Sequence, residues 1–192
     1  MTILILGIIV LIGIHFVPAF PDLRDSLMAR LGRNGYRALF SVVSLLGLAL
    51  VVWGFAKAPV VQIWAPPVWT RHLALLLMLP VFPLLFAAYL PGKIKAKVRH
   101  PMLAAIKFWA LAHLIANGDL ASIILFGSFL AYAVVDRILV KRRGGAELVL
   151  AVSEAEARRN DLISLGAGLA LYVAFLFWLH PLLIGVSPLA SG

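Results

Sequence analysis

Six apolar runs, separated by short polar, basic or proline-rich breaks, organise the chain, and each approaches the roughly 20 residues that cross a hydrocarbon core of about 30 Å. They lie at about residues 2–20, 38–56, 70–90, 101–117, 119–139 and 162–186. The pattern predicts an all-α fold, a polytopic membrane helical bundle of about six transmembrane helices. No internal repeat, low-complexity tract or second domain interrupts it, so residues 1–192 read as a single integral membrane domain.

The breaks carry their own predictions. His15 interrupts the first run near its end, and Pro18 and Pro21 terminate it. With no Lys or Arg before Arg24 and no small-residue cleavage site, the run reads as a retained helix and not a secretory signal. Leu23, Leu27 and Leu31 recur at four-residue spacing with Arg24, Arg30 and Arg33 mostly off their line. That predicts a short amphipathic surface helix over 22–37, stopped by Gly32 and turned by Asn34-Gly35. Residues 60–69 hold Trp64, Trp69 and two adjacent prolines, which suit an interfacial loop. Pro80 and Pro83 predict a kink inside the third span. Residues 91–99 read as a basic loop, and Pro101 suits the first turn of the fourth helix. Residues 141–161 are polar, and Ser153 with Glu156 looks like a capping box opening a short helix.

Composition agrees with the pattern. The chain is 63% hydrophobic and 13% charged, with a mean hydropathy of +1.03, far from the roughly 25% charge of soluble domains. The net charge of +9 does not point to nucleic acid, because its distribution follows the membrane. Fourteen Lys and Arg fall in the first, third and fifth loops, two (Lys57, Arg71) in the second and none in the fourth. Lys107 lies within a span. The asymmetry predicts cytoplasmic odd loops and both termini periplasmic, with the lipid bilayer as the first partner. There are no cysteines, which excludes disulfides, iron–sulfur clusters and cysteine-ligated haem or zinc.

Five histidines are the candidates for chemistry: His15, His72, His100, His113 and His180. None pairs at a spacing of three or four, so no single helix offers a two-histidine metal face. His72 and His180 sit near span ends, where a headgroup-level or bend role suffices. His100, between Arg99 and Pro101, suits an anion or headgroup. His15 and His113 lie inside apolar spans, where an ionisable group needs a partner. Haem iron takes an imidazole from each side in an apolar pocket, and a hydrogen bond to a neighbouring helix is the plainer alternative. Depth argues for a tilt, since His113 is 12 residues, about 18 Å, into its span. By depth, His100 is the easier neighbour of His15. Trp109, His113 and Asn117 share a helical face along which a haem edge could lie, although Asn117 is more simply read as a helix cap. Arg24, Arg37, Arg99 and Arg137 could clamp carboxylates, although the positive-inside rule places them equally well.

Three segments carry a resemblance: GIHFVPAFPDLRDSLMARLGRNGYRALFSVVSL, RHPMLAAIKFWALAHLIANGDLASIILFGSFLAYAVVDRILVKRR, and the final apolar span. Over nearly its whole length the chain resembles the NnrU family of bacterial membrane proteins, associated with denitrification through the nitrite and nitric oxide reductases. That family is in turn similar to the plant 15-cis-zeta-carotene isomerase, a membrane haem b protein. The resemblance implies haem b as cofactor, with His15 (followed by Arg24) and His113 (in WALAHLIANG) as axial ligands. The plant enzyme has a cysteine three residues before its second histidine, where this chain has Ala110, so the likeness does not extend to a thiolate ligand switch. The Arg99-His100-Pro101 start also resembles isoprenylcysteine-type methyltransferases, over a few residues only.

The expectation is a bacterial inner-membrane protein supporting denitrification, binding haem b between helices for redox or nitric oxide sensing. The cofactor-binding candidates are His15, His113, Arg24, Arg99, His100 and Asn117. The alternatives are a non-catalytic assembly or regulatory factor for a membrane reductase subunit, and a haem-dependent polyene isomerase.

Overall fold

The computed structural model describes residues 1–142 and 152–189. The described residues are helical throughout, apart from loops and one isolated bridge between Gln62 and Asp119. The helices are α1 Thr2–Phe16, α2 Pro21–Ala56, α3 Val68–Met78, α4 Val81–Tyr89, α5 Lys93–Val98, α6 Pro101–Ala116, α7 Leu120–Arg142, α8 Glu154–Ala174 and α9 His180–Ile184. Five continuous or kinked helical stretches are long and apolar enough to cross a membrane. The sixth, α6, has 16 residues, about 24 Å at 1.5 Å per residue. All six expected apolar runs are therefore helical, and five of them reach spanning length among the described residues.

Contacts divide the chain into two units. One holds α1, α2, the loop after α2, and α7; the other holds α3 to α6, α8 and α9.

In the first unit, α1 and α2 form an antiparallel hairpin whose backbones nearly touch. A Cβ on Gly54 would lie 2.4 Å from the Leu4 nitrogen, one on Gly47 2.8 Å from the Leu11 nitrogen, and one on Gly7 2.5 Å from the Val51 nitrogen. Lipid supplies no hydrophobic drive between helices, so such close backbone approach is what holds them. Proline at the start of α2 and Pro18 in the 3₁₀ turn Val17–Ala19 make the corner. The surface segment and the second span are one element, broken within by Gly32 at φ 68° and ψ 168°. Only glycine takes that conformation cheaply. The expected stop at Gly32 is therefore a kink, and Asn34-Gly35 stays helical. Leu23 and Leu31 remain exposed, as a face resting on lipid requires. The extended 58–66 loop closes on the α6–α7 turn: the Ile63 N–H donates to Gly118 O at 2.8 Å and the Leu120 N–H to Val61 O at 2.8 Å. Asp119 caps α7 by accepting from the Ser122 N–H at 2.9 Å.

In the second unit, the third span breaks between α3 and α4 at Leu79-Pro80. The Leu79 N–H turns to Leu76 O at 3.3 Å, so the Leu75 carbonyl loses its helical partner. The Tyr172 hydroxyl of α8 donates to that carbonyl at 3.1 Å. Gly168, one turn earlier, lets the Pro83 backbone in, since a Cβ there would lie 2.4 Å from the Pro83 nitrogen. Phe82 stacks on Phe175 with centroids 4.9 Å apart. Removing the Tyr172 hydroxyl orphans a carbonyl in an apolar interior. Tyr172→Phe is expected to cost about 1 kcal/mol, read as a lowered thermal midpoint in detergent.

Ser153 caps α8, accepting from the Glu156 N–H at 3.2 Å. The helix it opens is not the short one expected, because it runs on into the last span. A π turn, Phe175–Leu179, precedes His180-Pro181. The proline ring there excludes the regular carbonyl geometry four residues back. Residues 143–151, with part of the polar stretch and Arg143, lie outside the described residues.

Candidate functional site

His15 stands on the last turn of α1, half-buried, where the chain is about to turn at Pro18. Its Nδ1 lies 2.7 Å from Leu11 O, one turn back. A carbonyl can only accept, so Nδ1 carries the proton and Nε2 of the neutral ring carries the lone pair. Two aromatic side chains flank the ring. Phe40 of α2 lies 5.1 Å away centroid to centroid, and Tyr132 of α7 lies 6.3 Å away. Phe16 meets Tyr132 edge-on at 5.1 Å. The other two helices of the first unit, α2 and α7, therefore each bring a ring to His15.

In the second unit, Pro101 opens α6, and Trp109 packs on the cluster of Val81, Leu84 and Ala105. His113, one turn on from Trp109, repeats the His15 arrangement. Its Nδ1 lies 2.8 Å from Trp109 O, which again makes Nε2 the lone-pair nitrogen. The indole ring lies 5.4 Å from the imidazole. Ala110 and Ala112, fully buried beside it, allow neighbouring helices to approach closely. His180 is within electrostatic reach of His113, and its Nδ1 is taken by Val186 O at 2.6 Å.

The other candidates are placed differently. Arg24 pairs with the adjacent Asp25 at 2.9 Å, both largely exposed. Arg99 and His100 form a tight corner between α5 and α6, with the Arg99 N–H on Lys95 O at 2.7 Å and the His100 N–H on Val98 O at 2.8 Å. Arg99 adopts φ 64° and ψ −43°, the one positive φ outside glycine among the described residues. That strain belongs to a corner held from outside. Asn117 follows the last residue of α6, so it continues the Trp109–His113 spacing in sequence without sitting on the helix. His72 is exposed near the start of α3.

Sequence reasoning missed what holds that corner. Residues 93–98, expected as loop, are helix α5. Asp161 of α8 accepts the Lys93 and Ile94 N–H groups at 2.9 and 3.1 Å. Asn160 donates to Pro91 O at 2.8 Å, and Lys93 pairs with Glu154 at 2.6 Å. These contacts span more than 60 residues, and the only signal for them was two adjacent polar residues, Asn160 and Asp161, at the mouth of an apolar span.

A search against family models matches residues 3–188 to the NnrU protein family. The chain belongs to the NnrU family. Membership makes it a membrane protein linked to denitrification. Neither the curated proteins nor the solved structures gave a match.

For an NnrU protein, the two histidines inside spans are chemically alike. Among the described residues no three His, Asp or Glu side chains gather as they would around a bare metal ion. Haem iron asks for less, since four of its ligands are pyrrole nitrogens and the protein adds one or two imidazoles. Nδ1–H held by a carbonyl, with Nε2 as the lone-pair atom, is the orientation seen for metal-ligating histidines generally. His15 and His113 each fit that requirement within their own unit. The position three residues before His113 is the fully buried Ala110, which has no ligating atom.

Proposed function

We propose that this NnrU protein binds haem b through His15 and His113 and uses it in redox or nitric oxide sensing that supports denitrification. The observation that carries the reading is the shared hydrogen bond from Nδ1–H to a carbonyl one turn back, at 2.7 Å for His15 and 2.8 Å for His113. It fixes each ring and directs basicity to Nε2, which a ferric or ferrous iron requires. Phe40 and Tyr132 beside His15, and Trp109 beside His113, are aromatic neighbours of the kind that a porphyrin prefers. Bound haem would supply a one-electron couple and, where an axial position opens, a site for a diatomic gas. The chain's own part is to hold the rings, exclude water and set the basicity of the two imidazoles. Arg24, Arg99 and His100, at the basic end of the helices, are the proposed contacts for acidic groups, with Asn117 a polar contact near the end of α6. The loop charges support residence in the bacterial inner membrane with both termini periplasmic.

The test is haem extraction from the purified protein as a pyridine complex, after expression with haem supplied. Haem b in stoichiometric amount supports the reading. Colourless protein from haem-replete cells sinks it, and leaves a membrane reductase subunit as the partner to seek by co-purification.

A further inference from the structure

Two hydroxyl oxygens on α2, Tyr36 Oη and Ser44 Oγ, are shut away within the protein with no hydrogen-bond partner among the described residues. Phe40 lies midway between them at four-residue spacing, so the three side chains share one helical face. That face belongs to His15. The Phe40 ring lies 5.1 Å from the imidazole and 6.4 Å from the Tyr36 ring.

The hairpin register sets their depths. Gly54 meets Leu4, Gly7 meets Leu50 and Val51, and Gly47 meets Leu11. Continued antiparallel, that register puts Ser44 within a residue of the level of His15. Tyr36 falls about 12 Å beyond Ser44 along α2, at about 1.5 Å per residue, toward the basic end. Its chain neighbours there, Arg33 and Arg37, are exposed cations.

A buried O–H without an acceptor is unfavourable, and the helix offers serine and tyrosine easier outcomes. Tyr36 can be turned outward to the headgroup region, where phenols are common. It points inward instead, level with a cationic surface and one aromatic ring away from a proposed iron ligand.

We infer that Tyr36 is the hydrogen-bond donor to a carboxylate on the edge of the group ligated by His15. The inference rests on the haem reading proposed above and names a contact beyond it. Haem b carries its two propionates on one edge and is apolar elsewhere. Phe40 faces the apolar body, Tyr36 the acidic edge, and Arg33 and Arg37 add positive potential behind it. The phenol O–H donates; the carboxylate accepts, a charge-assisted bond that strengthens as water is excluded. Ser44 lies at the level of the imidazole, where the macrocycle has no acid group, and it serves as the comparison.

The experiment uses full-length protein in detergent, with and without haem, and follows haem transfer to excess apomyoglobin. Tyr36→Phe is expected to release haem about tenfold to a hundredfold faster, the range for losing a hydrogen bond to a charged group. The absorption maxima stay in place, because His15 is untouched. Ser44→Ala is expected to release haem at the wild-type rate. Without haem, Tyr36→Phe melts at or above the wild-type temperature, since the lost hydroxyl had no partner among the described residues. Unchanged transfer in Tyr36→Phe with a normal spectrum overturns the inference and leaves the haem reading intact. A marked fall in the melting temperature of haem-free Tyr36→Phe also overturns it, by showing a structural bond. Wild-type protein that takes up no haem overturns both.

Discussion

Gly54→Val is expected to dismantle the α1–α2 hairpin. The added Cβ alone would stand 2.4 Å from the Leu4 nitrogen, 2.6 Å from its Cα and 2.8 Å from the Ile3 carbonyl carbon. All three are backbone atoms of a helix, so no side-chain rotation relieves the clash. α1 must move off α2 along a seam that also holds Gly7, Gly47 and the fully buried Leu4. Overpacking a core costs about 1–3 kcal/mol when side chains can adjust. Backbone against backbone should exceed the upper end of that range. The check is the thermal midpoint and folded yield in detergent, set against Gly13→Ala. A Cβ at Gly13 meets nothing within 4 Å, so that variant should match wild type. A Gly54→Val protein as stable as Gly13→Ala would show that the hairpin is not packed through this seam.

The second large effect is chemical. His15→Ala and His113→Ala are each expected to weaken the haem binding proposed above. Sharp α and β bands of the reduced protein then give way to a broad high-spin spectrum, and haem retention falls by at least about tenfold. Losing only an outer-shell partner of a ligand already costs about 10–100-fold in affinity. His72→Ala, which alters an exposed residue near the start of α3, should keep the wild-type spectrum. If both span variants keep it as well, the ligands lie elsewhere. His100 and His180 become the next pair to change.

Much of the fold was legible because membrane insertion depends on local composition. Apolar length, loop cations and proline positions are properties of contiguous residues, and they located the apolar helical runs and the break at Leu79-Pro80. The Ser153 cap was readable for the same reason. What escaped was set by distant partners or by backbone conformation. Nothing near Gly32 reveals that the helix resumes after it, since an Asn34-Gly35 pair usually turns a chain. Helix α5 exists because Asp161, nearly 70 residues away, caps its first N–H groups. The Tyr172 bond to Leu75 O needs a kink in one helix and a hydroxyl on another.

The histidines divide along the same line. Their place inside apolar spans was visible in the sequence, and so was the WALAHLIANG motif. The protonated nitrogen was not, because it depends on a carbonyl one turn back and on a rotamer. Nor could the sequence show that Phe40 and Tyr132, from two other helices, converge on His15. Tyr36, at the end of the expected surface helix, and Ser44, in the expected second span, carried no signal until the structure buried their hydroxyls with no partner among the described residues.

The central claim is that the imidazoles of an NnrU protein ligate haem. It is tested most directly by the absorption spectrum of detergent-purified wild-type protein, oxidised and then reduced with dithionite. Ligation by two imidazoles predicts a Soret band that sharpens and shifts on reduction, with distinct α and β bands from low-spin, six-coordinate iron. A featureless visible spectrum from protein made in haem-replete cells would contradict it.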